Sequence, residues 1–225
     1  MNVLLIPGLL CDSFVWEPVL AQLDAAVADL STQDSITEMA QDCLDAHPGK
    51  LRVAGHSMGA RVAMEMAHLA PERIERLALL DTGIHPLKEG ETAKRDEIVQ
   101  FAYDNGMEAL AVRWLPPMVH EPNQQNEALM RGLTDMVLRK DADLHARQIK
   151  ALVNRPDAAS YLSAITCPTL LVVGRQDQWS PVAQHEEMLT LLPNARLEVI
   201  ENAGHFAPVE QPDEVAELLA GFLGA

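Results

Sequence analysis

The chain has 225 residues, 48% of them hydrophobic and 22% charged, enough for one sizeable core in a single domain with room for an inserted subdomain. A formal net charge of −16 disfavours nucleic-acid and anionic-membrane partners. Three cysteines, Cys11, Cys43 and Cys167, are too few and too scattered for a disulfide framework or a zinc site, and their odd number suits a reducing compartment.

The first element is a strand: Val3 to Ile6 is a continuous apolar run stopped by Pro7-Gly8, as expected of a strand buried on both faces. No basic leader precedes it, and no apolar stretch approaches the ~18 residues of a membrane span, so a cytoplasmic, soluble protein is expected. Asp12 or Ser13 caps a helix over 14–23, residues 25–28 form a weak strand, and Asp34 or Ser35 opens a helix that Pro48-Gly49 ends. A strand follows through Val53 and Ala54, then an amphipathic helix beyond Gly59, then a buried strand Leu77 to Leu80 ending at Asp81. This alternation implies a parallel sheet covered on both faces.

From residue 84 to 163 the strands vanish. Helical patterns occupy 91–104, 107–115, 123–139 and 142–153, with a short turn around 157–163. Alternation resumes with a strand at 169–173, a helix over 182–192, a strand at 196–200 and a last helix over 213–223. Eighty residues are too many for one crossover, so residues 84–163 read as a helical cap inserted into a core made of 1–83 and 164–225.

Chemistry is concentrated at Gly55-His56-Ser57-Met58-Gly59, a G-x-S-x-G string with a strand leading in and a helix leading out. The pattern presents a serine on a turn so sharp that its neighbours two residues away must be small. The N-terminus of the following helix supplies free N–H groups to any oxygen that becomes negative. A serine needs a base, and a base needs an orienting acid. Of eight histidines, His47, His68, His145 and His185 read as surface residues, His56 as a packing residue, and His85 and His120 lie in or beside the insertion. His205 follows a strand in Asn202-Ala203-Gly204-His205-Phe206, at the carboxyl edge where such sheets bind ligands. For the acid, Asp177 past the 169–173 strand is preferred to Asp81, because its strand immediately precedes the histidine's.

These motifs resemble the α/β-hydrolase superfamily along the whole chain: Gly-His-Ser-Met-Gly at the elbow, Gly174-Arg175-Gln176-Asp177 after a Pro-Thr-Leu-Leu-Val-Val strand, and Asn-Ala-Gly-His-Phe near the end. The resemblance implies an α/β fold with a helical cap, Ser57 as nucleophile, His205 as base, Asp177 as acid, and an oxyanion hole from the backbone N–H groups of Met58 and Leu9. Two departures stand out. Pro7-Gly8 replaces the His-Gly of many relatives, removing a side chain that braces the oxyanion loop. The chain also starts at what resembles the family's third strand, so a mostly parallel sheet of about six strands is expected.

The expected activity is hydrolysis of a carboxylic ester of a small, largely apolar substrate through an acyl-enzyme, with no metal and no organic cofactor. Trp114 is the leading pocket-wall candidate, joined by Leu10 and Phe206. Phe101, Met107, Leu110, Leu115, Met118, Met130 and Met136 are further candidates whose alternative role is packing within the cap. Carbon–carbon bond hydrolysis, lyase chemistry and perhydrolysis use the same residues in similar proteins, and a basic residue in the pocket, Arg113 or Arg139, would indicate a carboxylate-bearing substrate. A ligand-sensing receptor and a partner-binding scaffold are the non-enzymatic alternatives.

Overall fold

The computed structural model describes residues 2–224. Its centre is a six-stranded, all-parallel sheet of β1 (Val3–Ile6), β2 (Ala26–Val27), β3 (Leu51–His56), β4 (Ile74–Leu80), β5 (Thr169–Gly174) and β6 (Ala195–Ile200). The spatial order is β2-β1-β3-β4-β5-β6. β1 and β5 are buried at every position, which is why they read as unbroken apolar runs. In the register, Leu4 faces Val53, Gly55 faces Leu79 and Leu80 faces Val172.

Strand order reverses direction at β1, whose successor β2 lies on one side and β3 on the other. Right-handed crossovers then place the helix after β1 on one face and those after β2, β3 and β5 on the other. The first is α1 (Glu17–Leu20), which packs on the last helix, α9 (Pro212–Gly224). Opposite lie α2 (Ile36–Ala46) and α3 (Met58–Leu69), packed on one another, and α7 (Val182–Leu191) against β5 and β6. The crevice outside the carboxyl ends of β1 and β3 is the topological switch point, where sheets of this kind bind ligands.

Between β4 and β5 lie α4 (Glu91–Trp114), α5 (Glu127–Leu138), α6 (Ala142–Val153) and short 3₁₀ turns, without a strand. α4 breaks at Gly106 (φ 84°, ψ 169°), a conformation open essentially to glycine alone, so the two helices expected there meet at a kink. Bonds tie this segment to loops at the carboxyl edge. Arg139 pairs with Asp12, Gln148 accepts from the Leu10 N–H, and the Met118 carbonyl accepts from the His205 N–H.

Two expected helices differ in extent. Asp12 does cap the first, accepting from the Phe14 N–H, but it begins as a 3₁₀ turn (Ser13–Trp16) and its regular part ends at Leu20. Pro18, the second residue of that regular part, has no N–H to donate back to Phe14, so the α pattern does not extend back through the 3₁₀ turn. The run expected over 123–139 is divided at Asn126, whose side chain accepts from the Ala128 and Leu129 N–H groups and starts α5. Among the described residues no helix is long and apolar enough to cross a membrane.

Candidate active site

The turn between β3 and α3 is made possible by its two glycines. A Cβ on Gly55 would collide with the backbone of Gly59 and Ala60, and one on Gly59 with the Ile6 and Pro7 carbonyls of the neighbouring strand end. Between them Ser57 is held at φ 55°, ψ −115°, a strained conformation for a residue with a side chain. Its N–H donates to Leu80 O (2.9 Å), and Thr82 Oγ1 donates to its carbonyl (3.0 Å), locking the turn to the end of β4.

His205 leaves the loop after β6 with Nε2 2.8 Å from Ser57 Oγ and Nδ1 2.8 Å from Asp177 Oδ2. The other oxygen, Asp177 Oδ1, accepts from the N–H groups of Trp179 (2.8 Å) and Ser180 (2.9 Å). Burial pushes the Asp177 carboxyl up, but the His205 charge and these hydrogen bonds outweigh it and hold the group below the usual carboxylate value. The structure therefore brings Ser57, His205 and Asp177 into one hydrogen-bonded line.

Asp81 takes a different place. It is fully buried, accepts from the Gly174 N–H (2.9 Å), and stands 3.7 Å from His56 Nε2. Burial, and then the charge of Asp177, push its carboxyl well above the usual value, which favours its protonated form. His56 is pushed down to about 3 by burial and then by His205, so it is neutral and Nε2 carries the proton donated to the His205 carbonyl (2.7 Å). His56 thus braces the backbone of the histidine loop.

Glu210, in the one-turn helix α8 (Ala207–Glu210), braces the same loop. Its Oε1 accepts from the Gly204 and Phe206 N–H groups, and its Oε2 accepts from the His120 N–H and Asn123 Nδ2. Gly204 is needed where it stands, because a Cβ there would press on the Met118 carbonyl (2.5 Å) and the His120 nitrogen (2.9 Å).

A cavity of about 710 Å³ opens over Ser57. Leu9 and Met58 both line it. Met58 is the first residue of α3, so its N–H has no acceptor within the helix. The loop's own bonds use the N–H groups of Leu10 and Cys11, not that of Leu9. Cys11 also lines the cavity, with its thiol pushed up to about 12 by burial and then by Asp12.

Trp114 and Phe206 line the cavity as expected, and so does Met118. Leu10 does not: it is fully buried, its backbone at φ 57° and its N–H tied to Gln148 Oε1, which turns the side chain into the core. Leu110, Leu115 and Met136 are fully buried core residues away from the cavity. Arg113 lines it while paired with Glu97, whereas Arg139 is outside, on Asp12. His85 lines it and His120 does not.

Two histidines expected at the surface are buried. His185 accepts from the Thr82 N–H (3.1 Å) and is pushed down to about 4 chiefly by burial. His145 lies in the cavity wall, fully buried, with neither ring nitrogen hydrogen-bonded. Its spacing with Ile149 and Leu152, which also line the cavity, is one helical stripe, a signal legible in the sequence. Arg61 also lines the cavity, one turn along α3 from Ser57. Its Nη2 donates to the His85 carbonyl (3.3 Å), and its buried Nη1 has no partner. Burial, then the charges of Arg155 and Arg95, push the guanidinium down to about 9, still charged at neutral pH.

Residues 3–218 match the model of the Alpha/beta hydrolase family. A 2-hydroxy-6-oxononadienedioate/2-hydroxy-6-oxononatrienedioate hydrolase of Pseudomonas sp is 29% identical over 77% of this chain, an alignment spanning 63%, less than two thirds, of that relative. Esterase YbfF of Escherichia coli (strain K12) is 27% identical over 96% of this chain and 87% of its own length. A solved structure of a thermophilic esterase from Thermogutta terrifontis, with malate bound, superposes with a TM-score of 0.89 at 26% identity, covering 100% of this chain and 89% of that one. With the sheet order, the strained elbow and a family match over nearly its whole length, the chain belongs to the alpha/beta hydrolase family.

Proposed function

We propose that the protein is a serine hydrolase that cleaves a carboxylic ester by acyl transfer. The observation that carries this reading is the unbroken line Ser57 Oγ–His205–Asp177, with both contacts at 2.8 Å. His205 takes the serine proton as Ser57 attacks the carbonyl carbon. The tetrahedral oxyanion points at the N–H groups of Met58 and Leu9. His205 then gives the proton to the departing alcohol, freeing it and leaving an acyl-serine. Water enters, His205 takes its proton, and the acid is released with Ser57 restored. Asp177, ionised, holds the imidazole in the tautomer with its proton on Nδ1 and stabilises the positive charge that forms. One oxyanion donor is typically worth ~3 kcal/mol of barrier. The helical segment 84–163 acts as a cap over this site, and Trp114 and Phe206 contact the substrate.

A panel of p-nitrophenyl esters of rising chain length tests the reading. The native protein is expected to turn over short esters, and Ser57→Ala to lose roughly 10⁴-fold or more of that turnover. A variant keeping native turnover would place the chemistry elsewhere. A second reading, hydrolysis of a carbon–carbon bond on the same residues, is favoured by the relative named for an oxo-dienedioate hydrolase. Faster turnover of such a compound than of any ester in the panel would select it.

A further inference from the structure

The cavity over Ser57 departs from the charge of the molecule that holds it. The chain carries net −16, yet six of the cavity's lining side chains are Lys or Arg and only two, Glu91 and Glu97, are acidic. Both acids are already engaged. Glu91 is shared by Arg95 (2.8 Å) and Arg155 (2.8 Å), and Glu97 by Arg113 (2.7 Å). Arg155 spends its remaining donors on the carbonyls of His85, Pro86 and Leu152.

Three of the six, Lys88, Lys94 and Arg61, have no ion pair among the described residues; the two lysines are exposed, which leaves Arg61. Among the described residues it has no ion-pair partner, its one hydrogen bond is a long one to a carbonyl, and its Nη1 is sealed from solvent without an acceptor. Arg61 is half-buried, and a guanidinium nitrogen withdrawn from water without an acceptor is unfavourable, a cost that loss of a proton does not relieve. What relieves it is an anion. His145 supplies the second observation. It is fully buried in the same wall with both ring nitrogens unpartnered, and burial, then the charge of Arg95, push it down to about 4. It is therefore neutral at pH 7 and keeps one N–H donor without an acceptor. Native proteins rarely leave such groups unsatisfied without a purpose.

We propose that the substrate carries a carboxylate, separate from the ester that Ser57 attacks, and that Arg61 binds it with a hydrogen bond from His145. The planar fork of a guanidinium matches the two oxygens of a carboxylate. Arg61 lies one helical turn from Ser57, so this carboxylate stands a few bonds from the scissile carbonyl. Arg95 and Arg155, held on Glu91, surround the site with positive charge without occupying the anion's place. The proposal rests on the acyl-transfer reading for where the ester sits, but binding is measured without turnover.

Calorimetric titration of the Ser57→Ala protein provides the test. The ligands are the monoamides of succinic, glutaric and adipic acid, each against the straight-chain amide with a methyl group in place of the carboxylate. At least one carboxylate is expected to bind about tenfold or more tighter than its match, as charge-assisted bonds require. Arg61→Met in the same background is expected to remove that preference, Arg61→Lys to keep part of it, and Arg139→Met, outside the cavity, to keep all of it. Equal binding within all three pairs overturns the proposal even if Arg61→Met proves unfolded, and a preference that survives Arg61→Met overturns the role of Arg61. Labelling of the native serine by a neutral fluorophosphonate is read separately. Labelling without a carboxylate preference defeats this inference alone, and a preference without labelling defeats the acyl-transfer reading alone.

Discussion

Two buried carboxylates belong to one charge network around His56 and His205, and their surroundings divide the protonation between them. Asp177 is held below the usual carboxylate value by His205 and two backbone N–H groups, while Asp81, fully buried beside that negative charge, is pushed well above it, toward its protonated form. Asp177→Asn is therefore expected to reduce ester turnover by about 10⁴-fold, as loss of the orienting acid does in serine triads. Asp81→Asn replaces a neutral acid with a neutral amide and is expected to change turnover little; steady-state kinetics on both variants rank them. Asp81 also makes a pH prediction. Above the ordinary value of 3.8 the unfolded chain releases this proton while the folded chain keeps it, so rising pH favours unfolding. Urea midpoints should show the native protein losing stability relative to Asp81→Asn, by at most about 1.4 kcal/mol per pH unit. A constant difference between about pH 5 and pH 8 would contradict the protonated state.

The loop that carries His205 is ordered by an element with no motif to announce it. Glu210 on α8 collects N–H groups from Gly204, Phe206 and His120 and the Asn123 amide, so β6's loop and the segment after α4 are fastened through one carboxylate. Glu210→Gln would turn an N–H toward one of these donors. It is expected to destabilise the fold by about 1–3 kcal/mol and to lower kcat more than it raises KM, since it loosens the base; melting and kinetics check both. The elements themselves were legible where burial is two-sided. β1, β4 and β5 announce themselves as apolar runs, and Gly106 announces the break in α4. Proline and asparagine rewrote the rest: Pro18 shortens the first helix, and Asn126 divides the run expected over 123–139. Of the site, Ser57, Asp177 and His205 could be read because each sits in a short motif at a strand end. Arg61 and His145 could not be read as a pair, because 84 positions separate them and only the fold brings α3 and α6 to a common cavity. Leu10 was misread because its neighbour Leu9 faces the cavity and a left-handed backbone turns it inward.

Across the whole molecule, function follows from where the sheet changes direction. β1 and β3 are neighbours with their crossovers on opposite faces, so the loop after β1 and the elbow after β3 diverge around a crevice at the carboxyl edge. β5 and β6 deliver Asp177 and His205 to the same edge, and the helical segment between β4 and β5 supplies the cationic wall. Covalent labelling with a fluorophosphonate, mapped by peptide mass spectrometry, tests most directly whether this edge activates Ser57. One adduct on Ser57, absent from a folded Ser57→Ala protein, is the expected result. An unlabelled native protein, or an adduct on any other residue with Ser57 unmodified, would contradict the account.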